Sequence, residues 1–75
     1  MNKIRRKALA DIIELIKEVR ERLEAIRDEE QEAFDNMPEG LQASERGELM
    51  EDYISTMDEM LDALDTDGLQ EIVDT

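Results

Sequence analysis

FDNMPEGLQASERGE, residues 34–48, interrupts an otherwise helix-forming chain. It holds the chain's only Phe, its only Pro and two of its three Gly. Pro38 cannot donate to a helix ladder, and its ring pushes Met37 away from helical geometry. Gly40 permits a tight backbone. Helix-forming sequence resumes on both sides, so the stretch is the corner of a helical hairpin. Asn36-Met-Pro-Glu39 forms one short turn, and Phe34, Met37 and Leu41 supply an apolar plug for the end of the bundle. Ser44 suits the N-cap of the next helix, with Glu45 favourably placed in its first turn. Gly47 inside that turn costs about 1 kcal/mol against Ala. Its presence predicts a close approach, by the first helix or by a partner chain.

Upstream of the corner, Leu9, Ile12, Ile16, Val19, Leu23, Ile26 and Ala33 recur in steps of three and four, with Glu30 the one break. That row is the a/d seam of a coiled-coil-like helix over residues 3–34. Lys7/Asp11, Glu18/Arg22 and Arg20/Glu24 stand four apart and can pair on the wet side. The first half carries an apolar surplus beside the seam. Ile4, Ala8, Ile13 and Leu15 lie beside the seam, and with Ile12 and Ile16 they spread over about half of the helix circumference, more than one partner helix can hide. These six residues are the expected oligomer interface.

Downstream, residues 44–65 read as a second helix. Met50, Tyr53, Ile54, Met57, Met60, Leu61 and Leu64 form its apolar stripe, and the methionines at this spacing belong to the core. Beyond Gly68, Leu69, Ile72 and Val73 keep helical spacing. Residues 68–74 are expected to form a short helix bent back onto the core, with Asp67 at its N-cap and Gln70 at N3. The chain is thus a single all-α domain over residues 1–75, an antiparallel hairpin with a short third helix, assembled as a homo-oligomeric bundle with residues 35–43 as its corner.

A 75-residue chain buries little surface and needs a staple, a metal or a partner. With no Cys and no His, disulfides, thiolate sites and the commonest zinc ligand are absent. Helix packing, shared with another copy, is what remains. Asp11 and Glu14 interrupt any apolar core of an export signal, and no stretch is long and uncharged enough to span a membrane. A cytoplasmic protein is expected.

Net charge is −13 and unevenly spread. Residues 1–28 carry eight basic and six acidic side chains, net +2, whereas residues 29–75 carry Arg46 against sixteen acids, net −15. An antiparallel hairpin would set the basic head (Lys3, Arg5, Arg6, Lys7) against the acidic far end. Direct binding to nucleic acid is disfavoured, because it rests on clustered Lys and Arg. A basic protein surface fits better.

No chemistry-bearing constellation survives inspection. Asp65-Thr-Asp67-Gly68 imitates part of a calcium loop, but the first ligand position is Ala63 and the twelfth is Asp74 rather than Glu. Glu29, Glu30, Glu32 and Asp35 lack the His of helical carboxylate metal sites and read as a solvated face. Ser44 and Ser55 have no His to activate them, and there is no Gly-rich phosphate loop. Neither an enzyme nor a cofactor is expected.

The run EEQEAFDNMPEGLQASERGE, residues 29–48, resembles a recurrent segment of short, acidic helical proteins of bacteria and phages. The resemblance implies a helical hairpin and a phage or mobile-element origin, and it transfers no functional residue. The expected function is non-catalytic binding, in which an acidic face (Glu48, Glu51, Asp52, Asp58, Glu59, Asp62) occludes a basic surface of a host or defence protein. One alternative is an oligomeric sponge holding a small anionic ligand through Arg5, Arg6, Lys17, Arg20 and Arg22. Another is a purely structural assembly subunit.

Overall fold

The computed structural model describes all 75 residues. Four helices follow in order: α1 (Lys3–Asp35), α2 (Glu39–Gln42), α3 (Glu45–Ala63) and α4 (Asp67–Asp74). The Asn2 side chain caps α1, its Oδ1 accepting the Arg5 amide at 2.8 Å. Good helix formers then run without Gly or Pro for 33 residues. The Asn36 amide donates to the Glu32 carbonyl at 3.0 Å and the Met37 amide to the Phe34 carbonyl at 3.1 Å, which closes the helix. Pro38 starts the one-turn α2 as its N-cap, a place where a missing N–H costs nothing.

The chain turns back at α2, and α3 runs antiparallel to α1. Beyond Leu64–Thr66 the path continues along α1 as α4, which packs on α1 and scarcely touches α3. The result is a rod. Its extents are 58 × 15 × 13 Å and its radius of gyration is 17.6 Å. A globular chain of this length would have a radius of about 11 Å.

The interior is correspondingly thin. Ile13 at 2% exposure and Ile54 at 6% are the only fully buried large apolar side chains. The inward row of α1 is Leu9, Ile13, Ile16, Leu23, Arg27, Glu30 and Phe34. It differs from the seam expected from sequence. Ile12, Val19, Ile26 and Ala33 of that seam face out, while Ile13, expected beside it, is the most buried residue. The two rows share Leu9, Ile16 and Leu23 and differ at alternate members, where Ile13, Arg27 and Phe34 each stand one residue on from Ile12, Ile26 and Ala33, so their centres lie about 50° apart. Both follow steps of three and four, so periodicity alone does not choose between them. The α3 stripe divides in the same way. Met50, Ile54, Met57, Leu61 and Leu64 turn inward, and Tyr53 and Met60 stay half exposed with Leu49.

The corner is held by polar bonds as much as by apolar contact. Gln42 Nε2 donates to the Phe34 carbonyl at 2.9 Å. Phe34 and Met37 are partly covered, but Leu41 is exposed, so the expected plug is incomplete. Ser44 caps α3 as expected, accepting the Gly47 amide and donating to the Leu41 carbonyl. Gly47 is buried, and a Cβ there would stand 2.0 Å from the Gln42 carbonyl oxygen. The close approach is thus made by the corner's own backbone, not by α1 or a partner.

At the other end, Thr66 rather than Asp67 is the α4 N-cap, and it makes no side-chain cap bond. Asp65 Oδ1 instead accepts the Asp67 amide at 3.0 Å. The calcium-like Asp65–Gly68 fragment is therefore the turn into a helix.

Candidate functional site

Three surfaces were expected from sequence, and each has a definite place on the rod. The acidic face lies on α3. Glu48, Asp52, Glu59 and Asp62 are exposed and follow one another in a stripe, with Ser55 filling the gap. Glu51 is exposed to one side of that stripe. Asp58 is part-buried and already engaged, its Oδ1 accepting Arg27 Nε at 2.8 Å and its Oδ2 accepting Arg27 Nη2 at 3.3 Å. Of the six, Asp58 is the one spent on the fold.

That fork is the one ion pair between helices. Hydrogen bonding to Asp58 is the main cause holding the Arg27 guanidinium pKa above its ordinary value; desolvation, the next largest effect, opposes it, and the Asp58 charge and Asp28 add to the rise. The pair ties α3 to the corner-proximal third of α1 and so contributes to the antiparallel register.

The cations named for an anionic ligand do not converge. Lys17 pairs with Glu14 at 3.8 Å and Arg22 with Glu18 at 2.7 Å. Arg5, Arg6 and Arg20 are distributed along and around α1, and the hollows on the rod all open to solvent. The basic head makes no ion pair with the acidic tail. Lys7 pairs locally with Asp11 at 3.5 Å, and Lys3, Arg5 and Arg6 pair with nothing. The end of the chain lies against α1, but its acids point into water. Arg20 and Glu24, expected to pair, do not.

Of the expected oligomer interface, Ile13 and Ile16 are covered by the chain's own α3–α4 arm. Ile4, Ala8, Ile12 and Leu15 stay exposed, Leu15 at 60%. Val19 and Ile26 continue the same line, and Leu49, Tyr53 and Met60 add a second on α3. By sequence, Val19, Ile26, Tyr53 and Met60 are expected in the inner seams, and Leu49 is not singled out. No three acidic side chains gather closely enough to grip a metal ion, and no helix is long and apolar enough to cross a membrane. No family model matches the chain, and neither a curated protein nor a solved structure is significantly similar to it.

Proposed function

We propose that the protein is a non-catalytic interaction protein whose acidic α3 stripe docks on a basic surface of another protein and occludes it. The observation that carries this is the freedom of the stripe. Glu48, Asp52, Glu59 and Asp62 extend over about 21 Å of helix, and none of the four has a cationic partner in the fold. Residues 29–75 contribute a single base, Arg46. Such a row steers encounter with a cationic surface and excludes a polyanion from it. With the mobile-element origin that the 29–48 segment implies, the partner is a host or defence protein that itself meets nucleic acid.

The test is affinity capture from host lysate on immobilised protein, compared with the variant E48Q/D52N/E59Q/D62N. A protein held by the wild type, released as salt rises and absent from the variant supports the proposal. Retention that ignores both salt and the four substitutions overturns it.

A further inference from the structure

The exposed apolar residues of the rod are not scattered. On α1, Ile12 precedes inward Ile13, Leu15 precedes Ile16, and Ile26 precedes Arg27. On α3, Leu49 precedes inward Met50, Tyr53 precedes Ile54, and Met60 precedes Leu61. On both helices, then, the outer stripe is the inner one stepped back by a single residue, about 100° of arc. Reversing a helix reverses the sense in which successive residues turn, as seen from one end. Because α1 and α3 are antiparallel and face each other, the same backward step carries both stripes to the same side of the hairpin. The rod therefore has one apolar face, two helices wide, continued toward the N-terminus by Ala8 and Ile4.

A right-angled pair of apolar stripes on each helix is what a four-helix bundle demands, since every helix there touches two neighbours. On α1 the outer stripe reads Ile12 and Val19 at a, Leu15 at d and Ile26 at a, the residues that seams between helices select. The area agrees. A folded monomer of this mass would expose about 4,700 Å², whereas the chain exposes 5829 Å². The surplus of about 1,100 Å² exceeds the roughly 800 Å² that each partner contributes to a standard interface.

We infer that two copies pack face to face through this side as a two-fold four-helix bundle, with Ile12, Leu15, Val19, Ile26, Tyr53 and Met60 at its centre. A second copy is the occupant because it brings the same two-stripe face, in the same length and spacing. Asp11, Glu18, Asp52 and Glu59 border the face, and each chain carries −13. The dimer is therefore assembled against charge repulsion and tightens as salt screens it. This is the opposite salt dependence to docking on a basic partner, so the two proposals succeed or fail separately.

Sedimentation equilibrium of the full chain from micromolar to 100 micromolar, at low and high NaCl, tests it. The wild type is expected at twice the 8.7 kDa chain mass, with dissociation weakened by salt and a melting temperature that rises with concentration. Leu15→Glu and Met60→Glu, on different helices, should each weaken the dimer by about 100-fold or more, because a carboxylate would be buried without a partner. Glu24→Gln, on the far side of α1, should leave it unchanged. If either Glu variant loses helix as well, a concentration-dependent wild-type melt still supports the dimer, and a concentration-independent one counts against it. A helical monomer at 100 micromolar in high salt overturns the inference, as does a dimer indifferent to both Glu variants.

Discussion

Replacing Gly47 with Ala sets helix propensity against sterics at one atom. Gly47 lies in the first turn of α3, and no glycine in the chain has a positive φ. Backbone conformation therefore gives no reason for Gly here, and Ala should gain about 1 kcal/mol in helix propensity. Space decides otherwise. The added Cβ would lie 2.0 Å from the Gln42 carbonyl oxygen, 2.5 Å from its carbon and 2.7 Å from its Cα. All three are backbone atoms and cannot rotate away. Restoring ordinary contact distances means moving α2 from α3 by about 1–1.5 Å. That opens the corner and strains the Gln42–Phe34 and Ser44 cap bonds. Overpacking of this kind costs about 1–3 kcal/mol, and an immovable neighbour places it at the upper end. The net loss is about 1–2 kcal/mol after the propensity gain, or roughly 5–15 °C in Tm for a domain of this size. Thermal melts followed by circular dichroism, at matched protein concentration, measure it. Gly40→Ala and Gly68→Ala are the internal comparison. Nothing lies within 4 Å of a Cβ at either place, so both should stabilise by about 0.4–1 kcal/mol. A Gly47→Ala protein as stable as the wild type would refute the steric account of the corner.

Three further outcomes follow from the same contacts. Ser44→Ala removes the α3 cap and its bond to Leu41, and urea titration should show a loss of about 1 kcal/mol with an unchanged m-value. Ile13→Val should cost about 0.5–1.5 kcal/mol and Ile13→Ala about 2–5 kcal/mol, whereas Ile4→Val, at 82% exposure, should leave the same titration within error. A double-mutant cycle with Arg27→Ala and Asp58→Ala should give favourable coupling that shrinks in high salt. The raised Arg27 pKa makes this contribution fully present below the unfolded-state value and lost only as pH climbs through the folded one. The coupling should thus be constant wherever Asp58 stays ionised, and a decline between pH 7 and 9 would contradict the assignment.

The helices, the corner and their order are local matters, legible residue by residue along the chain. Pro38 breaks the ladder wherever the chain goes, Asn2 and Ser44 cap the first turns of their own helices, and the runs on either side favour helix residue by residue. The excess of apolar residues over what one hairpin can hide was legible too, because helix circumference is fixed by geometry. The acidic stripe was legible for the same reason, as it needs only the 3.6-residue period.

What required the tertiary structure was the division of each apolar surface between inside and outside. The two candidate rows of α1 share Leu9, Ile16 and Leu23 and the same three-four rhythm, and only the docking of α3–α4 on α1 buried Ile13 and left Ile12 in the open. The same docking paired Arg27 with Asp58 across thirty-one positions of chain and so removed one acid from the exposed face. The contact of Gln42 with Gly47 is local to the corner, but no spacing rule states how tight that turn is. Local propensity fixes where a helix begins and ends, but the side it buries depends on what arrives to cover it.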